Sequence, residues 1–115
     1  MVKFGAYHGV RVVELAEGIA GPYASRFVAD QGADVIKSES ATGDYYRTEP
    51  GFQVLNRNKR SVVLLDDTQL VQSADVSVVD ASSAAARARS SAPASVMISM
   101  PTWGSNGPLA DQKGS

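Results

Sequence analysis

The chain begins with a strand, a helix and a second strand within about thirty residues, and this pattern restricts the fold more than any other feature. The apolar segments RVVEL (residues 11–15) and ADVIKSE (33–39) are rich in valine and isoleucine, which the pleated surface of a strand favours. Between them, residues 18–33 carry apolar side chains at helical spacing, with Pro22 suited to the first turn of a helix and Gly32 to its end. The sequence therefore predicts a right-handed βαβ unit.

Three further segments have the composition of strands, namely SVVLL (61–65), ADVSVVD (74–80) and ASVMISM (94–100). They are nearly continuous in apolar residues, as in a sheet covered on both faces, so we expect SVVLL to be buried. Residues 66–74 have room for one or two helical turns, and the Ala-rich residues 81–92 for a helix. We therefore predict one α/β domain over residues 1–115, with a Rossmann-like, open, mainly parallel sheet of about five strands and covering helices.

Composition excludes several classes of function. The chain has no cysteine and one histidine, so we expect no metal site built on thiolates or histidines. The net charge is −1, with 11 basic and 12 acidic residues, and gives no basic surplus for nucleic acid. No apolar run is long enough to cross a membrane. The start, MVKFGAYHGVRVV, does not have the pattern of a signal peptide, so we expect a cytoplasmic protein.

The loop after the first strand is the first candidate site. In open α/β sheets, ligands bind beyond the carboxyl ends of the strands, which here means the loops after Leu15, Glu39 and Asp80. In the first of these loops, Gly18 and Gly21 allow a ligand to approach the backbone, and the helix N-terminus favours negative charge. The spacing is not that of a dinucleotide fingerprint, and a tight turn capped by glycine explains the glycines equally well.

The polar cluster NRNKRS (56–61), directly before a strand, is the second candidate. Its cations, Lys59 among them, can neutralise phosphates, and its amides, Asn58 among them, can bond to backbone or ligand. A solvated turn whose amides satisfy nearby backbone groups is the alternative, and composition alone favours it.

The arginines Arg87 and Arg89 are the third candidate. They do not share a face of the predicted helix, so one can reach a ligand while the other is solvated, and two surface arginines are the alternative. No serine stands in the G-x-S-x-G setting of a hydrolase, which argues against serine-hydrolase chemistry.

Taken together, five blocks resemble the start of the family III CoA-transferases. They are GVRVVELAEGIAGPYASRFVADQGADVIKSE, GD, LNRNKRSVVL, ADVSVVD and ISMPTWGSNGP. That group contains formyl-CoA transferase, carnitine CoA-transferase and α-methylacyl-CoA racemase. The resemblance covers nearly the whole chain and is strongest from Gly9 to Leu65. It implies a CoA thioester bound on a Rossmann-like domain, without a metal, and an interlocked homodimer.

The resemblance also implies which residues bind CoA. The implied set is Gly18 and Ile19, whose backbone lines the site, Asn58 and Lys59 near the nucleotide end, Leu64 beside the adenosine, and Arg89 at a CoA phosphate. The sequence departs from the family at Ser38, where an apolar residue is usual, and at Ser40, where a basic residue is frequent. The connections after Leu65 and Asp80 are also shorter than usual.

The resemblance assigns no catalytic residue to this chain, because the catalytic aspartate of the transferases lies downstream of the GSNGP loop. We therefore expect the CoA-binding portion of a family III CoA-transferase, inactive alone and acting with a second copy or a complementary C-terminal segment. The complete enzyme would transfer CoA between carboxylic acids or racemise an acyl-CoA. The alternatives are a degenerate, non-catalytic paralogue serving as a dimerisation or scaffold module, and a generic nucleotide-binding α/β domain.

Overall fold

A single parallel sheet organises the chain, and the computed structural model describes residues 5–80, 82–104 and 106–112 of it. The strands are β1 (Arg11–Leu15), β2 (Asp34–Glu39), β3 (Lys59–Val63), β4 (Val76–Val79) and β5 (Val96–Ser99). The helices are α1 (Ala20–Asp30), α2 (Phe52–Leu55), α3 (Thr68–Gln72) and α4 (Ser82–Ser91), with a 3₁₀ turn at Tyr45–Thr48. The strand order is β3-β2-β1-β4-β5, and every neighbouring pair is parallel. The predicted α/β class and five-stranded sheet are confirmed.

The core lies on both faces of the central strands, because successive side chains of a strand point to opposite faces. One apolar cluster joins Val13, Leu15 and Val79 to α3 and α4, through residues that include Val71 and Ala88. The cluster on the other face joins residues of β1, β2 and β4 to the end of α1, and consists of Val12, Ala29, Ala33, Val35 and Val78. Within the described part of the chain, no helix is long and apolar enough to cross a lipid bilayer.

Helix α1 packs against the sheet through its small residues rather than its aromatic ones. The predicted helix, its early Pro22 and its end before Gly32 are confirmed. Its buried residues are Gly21, Pro22, Ser25 and Ala29, whereas Tyr23 and Phe27 are each 45% exposed. A Cβ on Gly21 would collide with the side chain of Ala16, the residue after β1, so the start of the helix lies too close to Ala16 for a side chain at that position. The aromatic side chains therefore point outward.

The prediction that SVVLL forms a buried strand is wrong. Strand β3 begins two residues earlier, at Lys59, and ends at Val63, so Leu64 and Leu65 follow it and are exposed. The strand lies at the edge of the sheet and pairs with β2 alone, and no residue of β3 falls in the buried class. Strand β5 is the opposite edge and is also largely exposed. Helix α3, which follows β3, is only five residues long.

Candidate functional site

The strand order creates a switch point at the carboxyl ends of β1 and β4. From β1 the chain builds outward through β2 to β3, and then returns past β1 to form β4 and β5. In open α/β sheets such a point leaves a crevice in which ligands bind. The residues 16–19, here called the Gly18 turn, follow β1 at this point. The turn leads directly into α1, whose cap residue is Ile19.

Charged side chains from three different places hold the Gly18 turn. Lys37 of β2 donates through Nζ to the carbonyl oxygen of Ala16, at 2.9 Å. The backbone N–H of Glu17 donates to Oδ2 of Asp80, and that of Gly18 to Oδ1 of Asp44, at 2.9 and 3.0 Å. Both N–H groups are therefore already bonded to carboxylates, and the turn does not present them to an anionic ligand.

The conformation of Gly18 is one that only glycine adopts readily. Its φ is +79°, in the left-handed region, and a Cβ there would collide with the hydroxyl of Tyr45. Tyr45 belongs to the 3₁₀ turn and is 64% exposed, so its ring covers the turn from the solvent side. The group that comes close to the backbone at Gly18 in this structure is the Tyr45 hydroxyl, and the approach of a ligand there stays a prediction.

Four buried charges form a network beneath the turn. We call Glu14, Lys37, Asp44 and Lys59 the buried charge network, and none of their side chains is more than 2% exposed. Lys37 Nζ lies 2.6 Å from Glu14 Oε2 and 2.7 Å from Asp44 Oδ2, and Lys59 Nζ lies 2.7 Å from Glu14 Oε1. The Ser25 hydroxyl also donates to Glu14. Two cations face two anions, so the network can be neutral without contact with water.

Each lysine of the network has three oxygen neighbours inside the protein. Lys37 contacts Glu14, Asp44 and the carbonyl of Ala16, and Lys59 donates to Glu14 and to oxygens of Pro22 and Asn56. Burial alone would lower the pKa of Lys37, but the attraction of Glu14 and its contact with Asp44 outweigh burial and raise it. Burial prevails at Lys59, so its pKa is lowered.

The loop after β2 is fixed by a second carboxylate, that of Glu39. Arg47 donates to Glu39 through Nε at 2.7 Å, Ser61 donates its hydroxyl, and the backbone N–H of Asp44 donates at 2.8 Å. Chiefly because of the bond from Arg47, the pKa of Glu39 falls to about 2. This carboxylate therefore fixes the segment that carries Asp44 and Tyr45.

The edge of the sheet around the Gly18 turn is acidic. Burial, followed by the repulsion of Asp44 and Asp80, raises the pKa of Glu17 above its ordinary value. A polyanionic ligand at this edge therefore needs cations from other parts of the site. Among the described residues, no group of histidine and carboxylate side chains has the arrangement of a metal site.

The cations of the NRNKRS cluster face carboxylates of the protein itself. Arg57 pairs with Asp30 at 2.7 Å, Arg60 pairs with Asp34 at 2.7 Å, and Asn58 donates to Asp30 at 2.9 Å. Lys59 reaches Glu14, as described above. The cluster therefore joins β3 to α1, β1 and β2, which accounts for a dense run of cations and amides before a strand.

The structure brings some of the predicted CoA-binding residues together and separates others. Gly18, Ile19 and Leu64 lie at the carboxyl ends of their strands, with Ile19 and Leu64 exposed. Asn58 lies before the amino end of β3, and the ammonium group of Lys59 is inside the protein. Arg89 is exposed in the last turn of α4, which leads away from the carboxyl end of β4. That these residues contact CoA stays a prediction.

The sequence reasoning missed Lys37, Asp44 and the importance of Glu14. A signal for one pair was present, because Glu14 and Lys37 each directly follow two apolar residues within a strand. The two are direct register partners on β1 and β2. Opposite charges inside two neighbouring buried strands predict a buried ion pair. Asp44 follows β2 in the GD block, and no pattern in the sequence indicates that it returns to the Gly18 turn.

Comparison with known proteins adds a family and several relatives. The model of CoA-transferase family III matches residues 7–115. Succinyl-CoA:mesaconate CoA-transferase of Haloarcula marismortui is 37% identical over 89 residues, which are 66% of this chain and 22% of that protein. Cinnamoyl-CoA:phenyllactate CoA-transferase of Clostridium sporogenes is 44% identical over 71 residues, 50% of this chain and 17% of that protein. Formyl-CoA:oxalate CoA-transferase of Streptomyces avermitilis is 38% identical over 73 residues, 56% and 18% respectively.

Solved structures share the fold of this chain. A CAIB/BAIF family protein from Brucella suis superposes with a TM-score of 0.85 at 30% identity, over 97% of this chain and 37% of that protein. A Mycobacterium tuberculosis protein crystallised in an orthorhombic form superposes with a TM-score of 0.84 at 26% identity, over 97% and 36%. The chain spans about a fifth of the length of the curated relatives named above.

Proposed function

The chain belongs to CoA-transferase family III, and we propose that it forms the CoA-binding part of a larger enzyme of that family. Its ligand is a CoA thioester, and the ligand lies in the crevice at the carboxyl ends of β1 and β4. The observation that carries the proposal is the Gly18 turn at the switch point, which three hydrogen bonds with charged side chains hold and which lies inside the family match. Ligands of this sheet type bind at such points.

The proposed contacts follow the chemistry of each side chain. Gly18 and Ile19 line the crevice with backbone, and the exposed apolar side chains of Ile19 and Leu64 offer packing surface for uncharged parts of the ligand, with Leu64 beside the adenosine. Arg89 is exposed, and among the described residues it makes no ion pair, so its guanidinium is available to a CoA phosphate.

Asn58 and Lys59 are proposed to act near the nucleotide end of CoA, and their contacts within the protein indicate how. Lys59 fixes Glu14, which in turn fixes Lys37 beneath the Gly18 turn. Asn58 has a φ of +65° and donates to Asp30, which fixes the bend before β3. Both residues would then act on CoA through the frame of the site, in addition to any contact with the nucleotide.

In the complete enzyme, this part would hold CoA while the acyl group reacts elsewhere. Binding energy from the nucleotide, which does not react, then positions the thioester at the reacting centre. We assign the complete enzyme the transfer of CoA between carboxylic acids, with acyl-CoA racemisation as the other reaction of this family. No residue of the chain is proposed as a nucleophile, and we expect no transfer activity from the chain alone.

We propose a cytoplasmic homo-oligomer, or an assembly with a complementary C-terminal segment. The exposed apolar side chains support a covering partner. Val96 and Ile98 lie on the edge strand β5, and Tyr23 and Phe27 lie on the outer face of α1. Exposed apolar side chains that form a continuous patch are typical of surfaces that are covered in an assembly.

Isothermal titration of the folded chain with CoA tests the proposal. We expect binding that weakens with dephospho-CoA and in Arg89→Ala, by roughly ten- to a hundredfold, as for the loss of a charged hydrogen bond. Arg60→Ala is the matched control, because Arg60 is exposed on the edge strand β3 and already pairs with Asp34, and it should bind as the unmodified chain does. No binding at millimolar CoA would refute the proposal and support the non-catalytic scaffold.

A further inference from the structure

Asp44 is almost completely buried and uses both of its carboxylate oxygens. Oδ1 accepts from the backbone N–H of Gly18 at 3.0 Å and of Tyr46 at 2.8 Å. Oδ2 lies 2.7 Å from Nζ of Lys37. Its own N–H donates to Glu39, so the residue is fixed from the main chain as well. One side chain thus connects the Gly18 turn, the 3₁₀ turn and the buried charge network.

Lys37 completes this connection from the other side. Its ammonium group contacts Asp44 and also donates to the carbonyl oxygen of Ala16, two residues before Gly18. Lys37 therefore holds the peptide between Ala16 and Glu17, and Asp44, which the lysine contacts, holds the next peptide, between Glu17 and Gly18. Glu14 on β1 anchors the lysine.

We propose that Asp44, held by Lys37, is a positioning residue of the CoA site, which keeps the Gly18 turn in the conformation that receives the ligand. This inference rests on the proposed function, because it takes the Gly18 turn as part of the CoA site. Without Asp44, the N–H of Gly18 loses its acceptor, and Lys37 loses one of its two anions. Because glycine has no side chain of its own to restrict its backbone, Gly18 then samples other conformations. The ligand must order the turn when it binds, and this lowers the affinity.

Asp44→Ala tests the inference, with Asp34→Ala as the matched control. Asp34 is also an aspartate that pairs with a cation, but it lies at the amino end of β2, bound to Arg60. For each folded variant we would measure the amide-proton exchange of Gly18 by ¹H–¹⁵N NMR and the affinity for CoA by titration calorimetry. In Asp44→Ala, we expect exchange at Gly18 to accelerate and affinity to fall, each by about tenfold, while Asp34→Ala changes neither.

A residue that only stabilised the fold would change the unfolding midpoint but not the affinity of molecules that remain folded. Equal exchange at Gly18 and equal affinity in Asp44→Ala and the unmodified chain would therefore overturn the inference. An equal loss of affinity in Asp34→Ala would overturn it too. If the unmodified chain does not bind CoA, the proposed function fails, and the exchange of Gly18 alone decides whether Asp44 holds the turn.

Asp44→Asn covers the case in which the alanine variant does not fold. The amide oxygen of asparagine can still accept from Gly18, but the side chain no longer carries a charge for Lys37. We expect faster exchange at Gly18 than in the unmodified chain, and a CoA affinity below that of the unmodified chain. Exchange and affinity equal to those of the unmodified chain would contradict the role of the Lys37–Asp44 pair.

Discussion

Glu14→Gln is the substitution that most severely tests the role of the buried charge network. The side chain of Glu14 is fully buried and lies within 2.7 Å of the ammonium groups of both Lys37 and Lys59. Removing its charge leaves two buried cations with one anion, Asp44. Breaking a buried ion pair by removing one partner costs about 3–5 kcal/mol. A domain of this size has a total stability of about 5–15 kcal/mol, so the variant should lose a large part of it.

The assay is urea unfolding at neutral pH, monitored by circular dichroism. If the slope of the unfolding free energy against urea concentration is the same in all variants, their stabilities can be compared directly. The double variant Glu14→Gln/Lys59→Met restores the balance, because Lys37 and Asp44 remain as a pair. We expect it to be more stable than Glu14→Gln by roughly 2 kcal/mol. Recovery is partial, since the oxygens of Pro22 and Asn56 lose their donor, at about 1 kcal/mol each.

The pH dependence of Glu14→Gln provides a second test. Burial already lowers the pKa of Lys59 below its ordinary value of 10.5. Between the folded pKa and 10.5 the unfolded chain therefore binds more protons than the folded one, and stability rises with pH. Glu14 counteracts this through its attraction for the ammonium group, so its removal should shift the rise in stability to lower pH. In urea unfolding, a loss of less than about 1 kcal/mol of unfolding free energy in Glu14→Gln would refute the reasoning. A double variant no more stable than Glu14→Gln would refute it too.

Three further substitutions test other parts of the site. Because the folded pKa of Glu39 is about 2 against an ordinary 4.5, its carboxylate contributes about 3 kcal/mol above pH 4.5, which is lost as the pH falls to 2. Glu39→Gln should therefore flatten the acid branch of a urea-stability curve, and equal curves would contradict this. Gly18→Ala should cost about 1–2 kcal/mol in thermal unfolding, because its φ is +79°, and no loss would argue against the strain. Glu17→Gln removes a charge from the acidic edge and should tighten CoA binding at low salt in calorimetry; a gain that persists at high salt would exclude electrostatic repulsion.

The fold could be predicted because its signals are local and periodic. The five apolar segments and the helix between the first two determine the α/β class, and the structure has each of these elements within a few residues of its expected place. The rotation of α1 was not predictable from its apolar spacing. It depends on the close approach of Gly21 to Ala16, and that contact turns Tyr23 and Phe27 outward.

The partners of the polar residues could not be predicted from local composition. The anions that the NRNKRS cluster faces, Asp30, Asp34 and Glu14, are between 26 and 45 positions away in the sequence. They become neighbours only once β3 is placed beside β2 at the sheet edge. The sequence indicated that these cations face an anion or close a loop, and the structure supplies the carboxylates of its own core and surface.

The location of CoA is tested most directly by a ¹H–¹⁵N NMR titration of the folded chain with CoA. The proposal predicts that chemical shifts change at the carboxyl ends of the strands, around Gly18, Ile19 and Leu64, and at Arg89. Chemical-shift changes confined to the amino ends of β2 and β3, around Asp34 and Arg60, would contradict it. No change at millimolar CoA would also contradict it.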